Sequence, residues 1–124
     1  IAMKEDIAEE AKWGCKGEKV GADSESDGEY NTQKIIKNCQ EEDIAARLCA
    51  ESTEGEYEDW YLPSRKELSL LYSNKDKIGG VSSGYYWSSL EPSSSNAWFQ
   101  NFKNGVQISY TKNYSNRVRC LRSF

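Results

Sequence analysis

The dipeptide Asn104-Gly105 lies between two alternating runs, Ala97-Trp98-Phe99-Gln100-Asn101-Phe102 and Val106-Gln107-Ile108-Ser109-Tyr110. Both of its residues tolerate the positive φ of a tight turn, so the C-terminal third is expected to carry an antiparallel hairpin. A last strand is expected over Arg117–Arg122, with Arg117, Arg119 and Arg122 on one face and ion-paired to carboxylates.

Helix signals precede the strands. Ser64 and Glu67 stand three apart as a capping box, with Leu68, Leu71 and Tyr72 as the apolar stripe behind them. Asn31-Thr32 is the expected N-cap of an earlier helix bearing Ile35, Ile36 and Cys39, and Ile44, Ala45, Leu48 and Cys49 repeat the same spacing. Around Trp13-Gly14-Cys15 a short strand is expected, followed by a surface loop over Gly21–Gly28. Helices and strands are thus segregated along the chain. That predicts an α+β fold with two or three short helices and an antiparallel sheet meander.

The 124 residues suit a single domain, 1–124, with residues 1–10 read as a linker. No apolar run is long enough for a membrane span, so no membrane insertion is expected. Ile1–Asp6 lacks the features of a secretory signal, so any such signal lies upstream or has been removed. With Lys+Arg 16 against Asp+Glu 20, the net charge of −4 disfavours nucleic acid as a partner.

Histidine is absent, which removes the Ser-His and Cys-His catalytic arrangements. The carboxylates Glu56, Glu58 and Asp59 fall in a charged loop where solvation explains them, and no glycine spacing matches a phosphate-binding loop. Cys15, Cys39, Cys49 and Cys120 contain no C-x-x-C pair. They are open to two disulfides in any of three pairings, or to buried free thiols, while zinc would need all four thiolates gathered from distant segments. Glu91-Pro92-Ser93 invites comparison with the Glu-Pro-Asn motif of calcium-dependent lectins, but the Asn and the companion Trp-Asn-Asp triplet are missing. No metal and no cofactor is expected.

Asp59-Trp60-Tyr61-Leu62-Pro63-Ser64 with Glu67-Leu68, Tyr86-Trp87-Ser88-Ser89, Ala97-Trp98, Phe102 and Asn104-Gly105, and Arg117-Val118-Arg119 with Arg122 stand in one order along the chain. In these motifs the chain resembles the Lcl C-terminal domain family. Upstream, Trp13-Gly14-Cys15, Asn31-Thr32, Ile35, Cys39, Ala45-Ala46 and Cys49 are similar to the same family. The resemblance implies a C-type-lectin-like fold of the formylglycine-generating-enzyme branch. One large subset of that family comprises the variable proteins of diversity-generating retroelements, in which adenines of a template are scrambled so that Asn codons become hypervariable.

Such codons can reach every amino acid except Lys, Gln, Glu, Met and Trp. Val106, Ile108, Ser109, Tyr110, Thr111, Asn113, Tyr114 and Ser115 belong to the reachable set, as do Leu90, Pro92 and Phe99 upstream. Gln107 and Lys112 lie outside it and interrupt the run where the family keeps fixed residues. Lys103 and the acidic loop Glu54-Gly55-Glu56-Tyr57-Glu58 depart from the pattern.

The expectation is therefore a non-enzymatic, receptor-type module that binds a protein or surface polymer through residues 86–124. It would be extracellular, on a cell surface or on a virion. The expected contacts are Leu90, Pro92, Phe99, Val106, Ile108, Ser109, Tyr110, Thr111, Asn113, Tyr114 and Ser115. Phe99, Val106, Ile108, Tyr110 and Tyr114 should be exposed, with Trp60, Leu62, Trp87, Trp98 and Phe102 in the core. The alternatives are a formylglycine-generating-type enzyme, a calcium-dependent sugar-binding lectin, and a purely structural domain.

Overall fold

A computed structural model of the chain describes residues 1–122; Ser123 and Phe124, the end of the expected variable stretch, lie outside the described residues. Along the chain run β1 (Ala8–Lys12), α1 (Gly28–Asn38), α2 (Ala45–Ala50), α3 (Arg65–Ser73), α4 (Lys75–Ile78), β2 (Tyr85–Trp87), β3 (Asn96–Asn101), β4 (Gln107–Thr111) and β5 (Ser115–Val118). The fold is α+β. Among the described residues it has four short α-helices, one or two more than expected, and a 3-10 turn at Glu54–Glu56.

Ser64 opens α3 as the capping box requires: its hydroxyl accepts from the Glu67 N–H at 3.1 Å, and Glu67 Oε1 accepts from the Ser64 N–H at 2.9 Å. The same Glu67 oxygen also accepts from the Gly28 N–H at 2.9 Å, so one carboxylate satisfies the starts of α3 and α1. Gly28 fits there because a Cβ would fall 2.5 Å from the Leu62 carbonyl. The cap of α1 is Asp27, which accepts from the Tyr30 N–H. Asn31 and Thr32 stand inside the helix and are buried, correcting the expected cap. Asn31 grips both backbone groups of Ser24 and donates to Ser89 Oγ, while Thr32 Oγ1 accepts from the Leu62 N–H.

The sheet order is β1-β5-β2-β3-β4. β2, β3 and β4 form the expected antiparallel meander, but β5 leaves β4 and inserts between β1 and β2, pairing parallel to β2. The last strand ends at Val118, short of the expected Arg122, and beyond it Leu121 makes two isolated bridges, to Tyr61 and to Ala2. The hairpin between β3 and β4 is longer than an Asn-Gly turn. Of its residues only Gly105 takes positive φ (81°), and it packs where a Cβ would meet the Tyr72 ring at 2.7 Å.

Strand alternation divides the core between the two faces of the sheet. On one face Trp87, Ala97, Phe99 and Val118 join Trp13, Ile35, Ile44 and Leu62 in the larger cluster. On the other, Tyr86 and Phe102 pack with Leu68 and Leu71 of α3. Trp60 belongs to the larger cluster, as expected. The cysteines form two disulfides, Cys15–Cys39 and Cys49–Cys120, the second tying α2 to the chain just after β5.

Residues 1–10 are part of the domain and not a linker. Met3 is buried, β1 begins at Ala8, and Asp6 receives three neighbours. Arg119 donates to Asp6 Oδ1 at 2.9 Å, Arg117 to Oδ2 at 3.1 Å, and the Tyr86 hydroxyl at 2.8 Å. Burial, with the Asp6 carboxylate beside it, pushes the Tyr86 phenol up to about 12. The buried Arg119 guanidinium is completed by the carbonyls of Met3 and Gly80. The arginines are ion-paired, as expected, but not on one face: Arg117 and Arg119 reach Asp6, whereas Arg122, three positions beyond Arg119 and past the end of β5, pairs with Asp59 at 2.7 Å.

Candidate ligand-binding face

The register of β2, β3 and β4 sets Trp87 opposite Phe99, Phe99 opposite Ile108, and Ala97 opposite Tyr110. Cross-strand partners share a face, so Ile108 and Tyr110 lie on the side that carries the larger core. Neither is among the residues packed in that core. Val106, Ile108, Tyr110 and Tyr114 are 50%, 44%, 51% and 42% exposed, and Tyr85 joins them at 41%.

The rings are in mutual contact. Tyr110 and Tyr114 meet edge to face at 5.3 Å, Tyr114 stacks on Phe99 at 6.3 Å, and Tyr85 touches Phe99 at 5.3 Å. Phe99 is only 6% exposed, contrary to expectation. It sits on β3, flanked by β2 and β4, with the Trp87 ring at 5.6 Å and the tyrosines over it. Phe99 is therefore the floor of the patch and not part of its contact surface. Leu90, expected at the surface, is buried as well. Its carbonyl accepts from the Trp98 N–H, and the next residue, Glu91, is drawn inward.

The remaining expected contacts divide by position. Ser109 and Thr111 alternate to the other side of β4 and are half-buried. Asn113 and Ser115 are exposed at the turn into β5, and Pro92 is exposed on the loop after β2, next to the buried Glu91. Tyr85 was not among the expected residues. The signal for it was available, because alternation through Tyr85-Tyr86-Trp87 puts it on the Trp87 face.

Two residues inside this stretch are bound to the scaffold. The Lys112 ammonium lies 2.6 Å from Glu91 Oε1, donates to the Glu18 carbonyl at 2.8 Å, and sits 4.6 Å from the Trp13 ring centre. The other Glu91 oxygen accepts from the N–H groups of Val20 and Gly21, both at 2.8 Å. Gln107 accepts from Arg65 Nε at 2.6 Å and donates to the Arg65 carbonyl at 2.9 Å. Arg65 in turn lies over the Trp98 ring at 3.8 Å. Trp98 is thus half-buried under a guanidinium, not in the apolar core as expected.

The family model of the Lcl C-terminal domain matches residues 5–122. The chain belongs to the Lcl C-terminal domain family. No curated protein matches it. The matched span of this Lcl C-terminal domain takes in Asp6, both disulfides and the whole tyrosine patch.

Proposed function

We propose that this Lcl C-terminal domain is a non-enzymatic binding module with a C-type-lectin-like fold, whose β4 and β4–β5 turn are diversified by a retroelement. One observation carries the reading. Between residues 106 and 115, Gln107 and Lys112 alone cannot be reached from a scrambled Asn codon, and both have side chains bonded into the scaffold. Val106, Ile108, Tyr110, Asn113, Tyr114 and Ser115, all reachable, are exposed. A diversifying mechanism that spared the scaffold would leave this division.

The patch suits binding. Tyrosines supply large contact area with few rotors, and a cluster of exposed apolar side chains on one face is a feature of interaction surfaces. The ligand is a protein or a surface polymer met outside the cell or on a virion, a setting that favours the two disulfides.

A calcium-dependent lectin reading loses its key ligand, since both Glu91 oxygens are occupied by an ammonium and two backbone N–H groups. An enzyme of the formylglycine-generating kind needs a reactive thiol, and all four sulfurs are held in disulfides. Sequencing the flanking DNA tests the proposal. A reverse transcriptase and a template repeat differing from the gene at adenines are expected, and a locus with neither would overturn it.

A further inference from the structure

The two edges of the sheet are built differently. β1, at one edge, carries Glu9, Glu10 and Lys12 exposed and has a bulge between Ala8 and Ala11. Charges and bulges of this kind stop a foreign strand from pairing. β4, at the other edge, reads Gln107-Ile108-Ser109-Tyr110-Thr111, with no charge and no proline. Its register with β3 runs unbroken over five pairs.

The outward backbone groups of β4 follow from its pairing. Trp98 gives its N–H to the Leu90 carbonyl and takes the Ser88 N–H on its own carbonyl, so its backbone faces away from β4. Its partner Ser109 must then point its N–H and C=O the opposite way, off the free edge. The bonds from Asn101 to Val106 and from Lys112 to Ser95 fix the same alternation at both ends. The N–H groups of Gln107, Ser109 and Thr111 therefore project from the sheet, while Ile108 and Tyr110 bond inward to β3.

We propose that β4 takes an extended segment of a protein ligand as a sixth strand, paired through Gln107, Ser109 and Thr111. The proposal rests on the reading of this surface as ligand-binding, and it narrows the ligand to a protein offering extended backbone. Edge pairing is a known mode of peptide recognition, in which main-chain bonds give affinity and side chains give specificity. Here the two tasks fall on different groups. The edge amides bond whatever side chain each position carries, proline excepted, and Val106, Ile108 and Tyr110 stand beside them on the exposed face. A diversified surface gains a source of affinity that substitutions other than to proline do not erase.

The test selects short linear peptides from a displayed random library on the full domain, then follows amide hydrogen exchange with the selected peptide bound. Slowed exchange at Gln107, Ser109 and Thr111 is expected, with Ile108 and Tyr110 already slow in the free protein. Ser109→Pro removes one outward N–H at an edge position where proline is tolerated, and it should weaken the peptide by about tenfold or more. If that variant does not fold, the exchange pattern of the unaltered protein decides. A selection that yields no binder overturns the proposal, as does a bound peptide that leaves the three amides fast. Protection of these amides without peptide, in a sedimenting dimer, would make the occupant a second copy and also overturn it. Loss of binding on Tyr110→Ser and Tyr114→Ser with Ser109→Pro silent would leave the tyrosine face standing and remove the edge.

Discussion

Lys112 and Glu91 meet at 2.6 Å with side chains 0% and 1% exposed, so the turn that ends β4 is pinned to the loop that follows β2. Removing one partner leaves the other charge buried and unpaired. Lys112→Ala should therefore cost about 3 to 5 kcal/mol in urea unfolding. A loss under about 1 kcal/mol, the range of exposed ion pairs, would contradict the closed pairing.

Phe99 and the residues above it should respond differently. Phe99→Ala removes a ring that Trp87, Tyr85 and Tyr114 contact, and should cost about 3 to 5 kcal/mol. Replacing Ile108, Tyr110 and Tyr114 together by Ser should shift stability by less than about 0.5 kcal/mol per site. Thermal melts of the two variants check this, and a fall of more than about 10 °C in the triple variant would show that these side chains are core.

The disulfides enclose loops of different length, with sequence separations of 24 for Cys15–Cys39 and 71 for Cys49–Cys120. On the chain-entropy account the longer loop contributes about 1 kcal/mol more. The Cys49→Ser/Cys120→Ser double variant should accordingly unfold at lower urea than Cys15→Ser/Cys39→Ser. Peptide mapping without reductant should recover the same two pairs; a Cys15–Cys120 fragment would contradict the fold.

Tyr86 should titrate above the ordinary tyrosine range. Its folded phenol stands at about 12 against 10 when unfolded, so the folded state holds its proton longer. That contribution to stability is intact below pH 10 and is lost as pH rises from 10 through about 12. Tyrosinate absorbance should show a late component that Tyr86→Phe removes. A Tyr86 that ionises near the unfolded value of 10 would contradict its burial beside Asp6.

Much of the scaffold was legible because its causes are local. Ser64 and Glu67 stand within one helical turn, and the alternation around Asn104-Gly105 marks β3 and β4 without reference to anything distant. The insertion of β5 had no such signal. It depends on Lys112 meeting Glu91, and on Arg119 meeting Asp6 across 113 residues, pairings no spacing announces. Phe99 and Leu90 were misplaced for a related reason: alternation assigns a face, but only the packed neighbours decide how much of that face is covered. The exposed part of the site, Val106, Ile108, Tyr110 and Tyr114, was legible through the family resemblance, which marks each as a variable position.

Binding to a ligand, once found, should concentrate in the exposed rings. Tyr110→Ala and Tyr114→Ala should each cost at least about 1 to 2 kcal/mol, with the side chains of Ser109 and Thr111 nearly silent. Chelator should leave affinity unchanged. Calorimetry with and without chelator separates this from a metal-dependent surface, for which chelator would abolish binding and the two truncations would not.

The most direct measurement is amplicon sequencing of this gene across a population of its source. Substitutions should cluster at Val106, Ile108, Tyr110, Asn113, Tyr114 and Ser115, stay within the residues reachable from a scrambled Asn codon, and leave Gln107 and Lys112 constant. Variation spread evenly along the chain, or falling on Lys112 and Gln107 as often as on Tyr110 and Tyr114, would contradict a diversified binding face.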